Sequence, residues 1–317
     1  MRTTHKRLLA LLVLPTLLVS STLTGNLTNA AAASKTAAAF PVTIKAADGT
    51  FTLHSRPKAI VSLSPTSTEI LFAIGAGSQV KAVDSYSNYP PKAPITKLSA
   101  YTPNVEAIAK YKPDLVVVAT DSASFNSQMK ALKIPVIYFS AAANLSQAYS
   151  EYVALGKATG HVAEAKAEVA RVKAKIAQIV SSTPKATAGS TYYYELDPTY
   201  YSVTSSTFVG QLLGLLGLKS IADSATGVAS SGGYPQLNAE FILKANPTFI
   251  FLADTVCCKA SSTTVGARPG WSALSAVQNG QVVGLNDDIA SRWGPRVTVL
   301  LQDVANALKA SKAAPTS

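Results

Sequence analysis

Asn104-Val-Glu-Ala-Ile-Ala-Lys-Tyr-Lys-Pro-Asp-Leu-Val-Val-Val-Ala119 returns, 134 positions later, as Asn238-Ala-Glu-Phe-Ile-Leu-Lys-Ala-Asn-Pro-Thr-Phe-Ile-Phe-Leu-Ala253. Six of the sixteen aligned positions are identical: the asparagine, glutamate, isoleucine, lysine, proline and final alanine. Each copy reads in the same way. Asparagine is a strong helix N-cap, because its side-chain oxygen accepts one of the backbone N–H groups left unpaired in the first turn. A two-turn helix follows, and proline stops it by disfavouring helical backbone in the residue before it. The unbroken apolar run after the proline suits a strand buried on both faces, as in a parallel sheet. Two such units predict two similar lobes.

The rest of the chain alternates in the same manner on either side of a long helical stretch. Val42–Ile44 and Phe51–Leu53, separated by Asp48-Gly49, read as a hairpin. Strands are predicted at Ala59–Leu63, Val80–Val83, Leu115–Ala119 and Val136–Phe139, and again at Thr191–Leu196, Phe249–Leu252 and Val282–Val283. Helices are predicted from Ser64 to Ile74, Asn104 to Tyr111, Phe125 to Leu132, Phe208 to Leu216, Ala239 to Ala245, Trp271 to Val277 and Arg296 to Leu308. Such alternation gives α/β lobes with parallel sheets. Between them, Leu145 to Ser181 is helical except at Gly160-His161, and Val162, Ala165, Val169, Val172, Ile176 and Ile179 recur at helical spacing. Nineteen residues of helix from 162 to 180 span about 28 Å, the width of a small domain, so this segment reads as a rigid strut. The expected organisation is a signal peptide over 1–30, a spacer and hairpin over 31–57, and an N-terminal lobe over 58–144. A helical linker over 145–184 and a C-terminal lobe over 185–317 complete it. A ligand belongs in the cleft between the lobes, near the strand ends.

A chain of 317 residues, 48% hydrophobic and 14% charged, is globular and long enough for two lobes. Its N-terminus addresses it outward. Arg2, Lys6 and Arg7 precede an apolar run from Leu8 to Val19 and small residues around Thr28-Asn29-Ala30, the layout of a secretory signal. The apolar run is short for a membrane span, so cleavage and release is the expectation, with an uncleaved anchor as the alternative. No cysteine lies near the cleavage region to carry a lipid. The formal charge of +11 comes from dispersed lysines, without the arginine clusters or aromatic motifs of nucleic-acid binders.

Enzyme chemistry finds little support. Beyond His5 in the signal, the histidines are His54 and His161, neither within a His-Glu-x-x-His or Gly-x-Ser-x-Gly pattern, and no glycine-rich phosphate loop follows a strand. The two cysteines, Cys257 and Cys258, are adjacent. In an oxidising compartment they form either a vicinal disulfide, strained because neighbouring Cα atoms lie only about 3.8 Å apart, or two free thiols. Zinc, which normally takes four ligands, lacks its partners here; no metal or cofactor of the protein's own is expected.

Ile60-Val-Ser-Leu-Ser-Pro-Thr-Ser-Thr-Glu69-Ile with Gly75-Ala-Gly77, together with the Asn104 repeat unit, resembles the class III periplasmic binding proteins for cobalamin, ferric siderophores and haem. Asp84-Ser-Tyr-Ser-Asn-Tyr-Pro-Pro91 resembles the loop of the cobalamin-binding members, and the resemblance runs from Lys58 to Ala310. It implies two Rossmann-like lobes bridged by a rigid helix, and a receptor, active as a monomer, that hands a metal chelate to an ABC permease dimer. Carried over by position, Glu106 and Glu240 dock on permease arginines. Tyr86 contacts the corrin, and Tyr101 lines the cleft where tryptophan is usual. Tyr200 or Tyr201, Tyr234 and Asp287 or Asp288 follow in the second lobe. Trp293 and Arg292, at the mouth of the last helix, are further ligand candidates, and Arg292 and Arg296 could bind an anionic chelate or complete surface ion pairs. Aromatic faces suit a large planar chelate, and a phenol adds a hydrogen-bonding tip. Tyrosine in place of tryptophan and phenylalanine equally suits a siderophore. A reading of a different class is a surface scavenging or adhesion protein that uses no transporter.

Overall fold

The computed structural model describes residues 40–120 and 122–313. The predicted signal peptide lies outside the described residues, as does most of the spacer after it. The N-terminal lobe opens with a hairpin, β1 (Val42–Ala46) and β2 (Gly49–Leu53), paired antiparallel with Val42 facing Leu53. It continues with β3 (Ile60–Leu63), α1 (Pro65–Ala73), β4 (Val80–Val83), α2 (Val105–Ala109), β5 (Leu115–Val118), α3 (Ala123–Ala131) and β6 (Val136–Tyr138). Two long helices follow, α4 (Leu145–Thr159) and α5 (Val162–Ser181). The C-terminal lobe comprises β7 (Thr191–Glu195), α6 (Phe208–Gly214), β8 (Lys219–Ser220), α7 (Ala239–Ala245), β9 (Phe249–Leu252) and α8 (Ser262–Gly266). It ends with α9 (Ser275–Gln278), β10 (Val282–Gly284), α10 (Asp287–Ala290) and α11 (Val297–Ala313).

The internal repeat is a repeat of topology. The first sheet has the order β4-β3-β5-β6 and the second β8-β7-β9-β10, each wholly parallel, so both lobes arrange their strands second-first-third-fourth. The strands β5 and β9, which the sequence match pairs, occupy the same place in each. All four residues of β3, β5 and β9 are buried, as expected of strands covered on both faces. The asparagine caps form as predicted: Asn104 Oδ1 accepts from Ala107 N at 2.8 Å and Asn238 Oδ1 from Phe241 N at 2.8 Å. The stop is more specific than proline alone. The residue before each proline, Lys112 or Asn246, adopts a left-handed conformation (φ 49° and 43°), so the chain turns sharply into the strand.

The strut is a pair of rods. Gly160, left-handed at φ 76°, ends α4 and reverses the chain into α5. In α4, Ala148 belongs to the core of the C-terminal lobe, whereas Tyr152, Ala154, Leu155 and Ala158 belong to that of the N-terminal lobe. In α5, Ala165 packs in the N-terminal core and Val172, Ile176 and Ile179 in the C-terminal one. Both helices therefore run from one core to the other. Arg56 ties the turn between them to the hairpin side, donating to Thr159 O at 2.8 Å and meeting His161 Nε2 at 3.1 Å. His161 is thus a corner residue. Some short elements escaped prediction: β8, α8 and α10 carry few apolar residues, and the predicted helix from Trp271 to Val277 divides into a 3-10 turn (Trp271–Ala273) and α9.

Gly156 sets how closely the two rods approach. A Cβ there would stand 2.5 Å from Ala165 Cβ and 3.0 Å from His161 O. Gly156→Ala is expected to lower unfolding free energy by about 1–3 kcal/mol, the usual cost of overpacking, as measured by urea denaturation. An unchanged midpoint would show that the α4–α5 contact yields freely.

Candidate functional site

In each lobe the connections that leave the C-terminal ends of parallel strands gather on one side, the position where α/β sheets bind ligands. In the N-terminal lobe the loop after β4 is shaped from within. Buried Asp84 accepts from Tyr86 N at 2.8 Å and from the Ser87 hydroxyl at 2.6 Å, and Thr68 donates to Ser87 Oγ at 3.1 Å. Burial raises the Asp84 carboxyl above its ordinary range despite these donors. The turn presents Tyr86 outward, 59% exposed, and its ring meets that of Tyr101, 76% exposed, edge to face at 6.0 Å. In the C-terminal lobe Tyr201 and Tyr234 are exposed as well.

The remaining predicted contacts divide differently. Tyr200, left-handed at φ 71°, lies against Trp271, stacked at 5.9 Å, with the Arg268 guanidinium 5.6 Å from its ring. Arg268 in turn grips fully buried Glu195 through two hydrogen bonds of 2.6 Å. Buried Asp254 lies beside Glu195, and burial together with that neighbouring carboxylate raises its carboxyl to about 7. Asp287 closes a loop, accepting from Val256 N at 2.9 Å and Cys257 N at 2.8 Å, and from the Thr255 hydroxyl. The structure thus gives Tyr200 and Asp287 internal partners. Cys257 and Cys258 on that loop are both free and exposed.

Asp288, Arg292 and Trp293 form the junction between the lobes. Arg292, 7% exposed, donates to Glu69 Oε1 and Asn88 Oδ1 at 3.0 Å each and to Tyr86 O at 2.8 Å, and pairs with Asp288. Arg296 donates to both Glu69 oxygens, at 3.0 and 2.5 Å, and its guanidinium covers the Tyr89 ring at 4.3 Å. Asn88 donates to Asp288 Oδ2 at 2.6 Å. Trp293 Nε1 donates to Glu151 Oε2 at 2.8 Å, and Ser67 donates to Glu151 Oε1 at 2.6 Å. Two carboxylates, Glu69 and Asp288, thereby balance two guanidinium groups in a largely dry seam. Gly294 admits the turn that carries them, since a Cβ there would stand 3.3 Å from Glu69 Oε2.

Glu106 and Glu240 sit in the first turns of α2 and α7, exposed at matched places. Among the described residues no group of three His, Cys, Asp or Glu side chains could hold a metal ion, and no helix is long and apolar enough to cross a membrane.

A family model described as periplasmic binding protein matches residues 60–289. The chain belongs to the periplasmic binding protein family. Among its relatives, an ABC transporter substrate-binding lipoprotein of Bacillus subtilis, YvrC, uncharacterised in function, is 31% identical over 281 residues, covering 85% of this chain and 86% of that one. A cobalamin-binding protein of Halobacterium salinarum is 28% identical over 281 residues, covering 86% and 75%. A crystal structure of a possible iron-binding periplasmic solute-binding protein from Staphylococcus epidermidis superposes with a TM-score of 0.66 at 25% identity, covering 80% and 99%.

In this periplasmic binding protein the sequence reading missed Glu151 as a site residue. Its signal was present: with Ala148 and Leu155 it falls on the apolar stripe of α4, where a carboxylate must find partners. Glu69, the fifth residue of α1 and fully buried, lies past the first turn, which suits an ion-pair acceptor and not a dipole partner. Burial outweighs the Ser67 and Trp293 donors and raises the Glu151 carboxyl to about 7. A folded-state value above the unfolded one means that the proton stabilises the fold. Stability is therefore expected to fall as pH climbs from about 4.5 to about 7, by on the order of 3 kcal/mol, and to flatten above that. Glu151→Gln should make the slope shallower by this amount in urea denaturation series, the raised Asp254 and Asp84 carboxyls supplying the remainder; a variant with an unaltered slope would place the titration elsewhere.

Proposed function

We propose that this chain is the extracytoplasmic substrate-binding component of an ABC importer, and that it captures a metal-chelate nutrient, a cobalamin or related corrinoid, between its lobes. The observation that carries the reading is the exposed phenol set. Tyr86 and Tyr101 on one lobe and Tyr201 and Tyr234 on the other all stand on connections that leave strand C-termini. Exposed aromatic faces of this kind are costly to leave in water and suit a broad, partly apolar guest whose edge carries polar groups. The cobalamin-binding relative supports the corrinoid. The role is binding without turnover.

The phenols also support a second reading, a ferric siderophore or haem, because their hydroxyls can meet an oxygen-rich chelate; the iron-binding neighbour favours it. On either reading Glu106 and Glu240, one per lobe, dock on basic residues of a two-fold symmetric permease. A transporter-independent scavenger would leave these two acids without a role.

Titration of the purified protein with aquocobalamin, haemin and a ferric hydroxamate, followed by absorbance and intrinsic fluorescence, is expected to give saturable one-to-one binding of aquocobalamin. Tyr86→Ala and Tyr101→Ala should each weaken it about tenfold, the effect of losing one aromatic contact of about 1.4 kcal/mol. Saturation by an iron chelate alone would replace the corrinoid reading, and binding of none of the three would end the chelate reading. Glu106→Arg combined with Glu240→Arg should abolish uptake by cells while leaving affinity in solution unchanged; undiminished uptake would remove the importer role.

A further inference from the structure

The adjacent thiols of Cys257 and Cys258 have no part in the binding role. They occupy the turn after β9, in the only two cysteine positions of the chain. Both are exposed and free, and Cys257 Sγ points back to Asp254 O at 3.7 Å. The turn has few internal ties. Cys258 N donates to Asp254 O at 3.2 Å, and Lys259 is left-handed at φ 60°. Its main anchor is external: the Asp287 carboxylate takes Val256 N and Cys257 N, and Thr255 bridges Leu285 O at 2.6 Å to the same carboxylate. Asp287 is the first residue of α10, and its neighbour Asp288 is held by Arg292 and by Asn88 of the other lobe. Thiol turn, α10 and lobe junction are thus one hydrogen-bonded unit.

We propose that Cys257–Cys258 is a reversible redox modification site, closed to a vicinal disulfide by low-molecular-weight disulfides, and that closure loosens α10 at the lobe junction. The thiolate of Cys258 attacks one sulfur of the oxidant, whose S–S bond breaks and expels one thiolate. Cys257 then gives up its proton and attacks the mixed disulfide, expelling the second thiolate. Two cysteine thiols lose two electrons, the oxidant becomes two thiols, and the two protons go to the leaving groups. The product is an eight-membered ring that contains the 257–258 peptide. Ordinary disulfides span Cα distances longer than that between chain neighbours, so the ring must turn this peptide. The Cys258 N–H bond to Asp254 O lies within it, and the Cys257 N–H bond to Asp287 lies at its edge. Partial desolvation within the turn, the hydrogen bond with Cys258 and the nearby Asp287 carboxylate push the Cys257 thiol up to about 12, which keeps it protonated until the mixed disulfide forms beside it.

The test uses the ligand-free full chain and so stands apart from the chelate reading. The protein at micromolar concentration is equilibrated with glutathione and glutathione disulfide, trapped with N-ethylmaleimide and weighed. The expected product is a monomer two hydrogens lighter that takes no maleimide, restored by dithiothreitol. Cys257→Ser should give a glutathione adduct on Cys258 instead, and Cys258→Ser little or none. In hydrogen exchange the oxidised form should exchange about tenfold faster at Val256 and Cys257, at Ile289 and Ala290 of α10 and at Ser291, which caps it, the scale of one lost hydrogen bond. Disulfide-linked dimers, or a glutathione adduct on the unaltered chain, would refute the modification site. A closed ring with unchanged exchange at 289–291 would refute the coupling to α10.

Discussion

One carboxylate holds the two halves of this molecule in register. Glu69, fully buried in the N-terminal lobe, accepts from Arg292 and Arg296 of the C-terminal lobe. A carboxylate out of water is tolerated only when its partners are fixed and its lone pairs filled. Here each guanidinium has further partners of its own: Asp288, Asn88 and the Tyr86 carbonyl for Arg292, and the Tyr89 ring for Arg296. The network is therefore demanding in geometry. Removing one member leaves a buried charge uncompensated, at a cost of about 3–5 kcal/mol, and that penalty gives the lobes a single relative placement.

The same constraint shapes the exposed tyrosine surface. Because Arg292 grips the backbone carbonyl of Tyr86, the loop that displays the Tyr86 ring is fastened at its base while the ring stays exposed. Asp84 fastens the loop from inside. A rigid base under an exposed aromatic side chain reduces the ordering cost of binding. On the second lobe, the grip of Arg268 on Glu195 and its stacking with Trp271 draw Tyr200 inward, while Tyr201, one residue on, remains accessible.

The fold was legible because its information is local and repeated. Asn104 and Asn238 cap helices by their own chemistry, and the apolar runs of β5 and β9 are long enough to require burial on both faces. The doubling of the strand order followed from the matched segments. The junction was far less legible. Glu69 and Arg292 are 223 positions apart, and nothing in either neighbourhood names the other; Arg292 and Arg296 read equally well as ligand contacts or surface pairs. Glu151 announced itself only as a charge on an apolar stripe. The split of Asp287 from Asp288 depended on a short helix, α10, whose four residues carry little pattern.

The two helices threaded through both cores have a mechanical consequence. A clamp that shuts by folding at a flexible joint needs a segment that can change its backbone angles, and α4 and α5 offer none between the lobes. To swing the halves apart, continuous rods would have to buckle or slide out of cores that they help to build. The molecule is built as a stapled jaw with a double spine. In the importer role proposed above, a permease that extracts the cargo would have to pry at the tips against that spine.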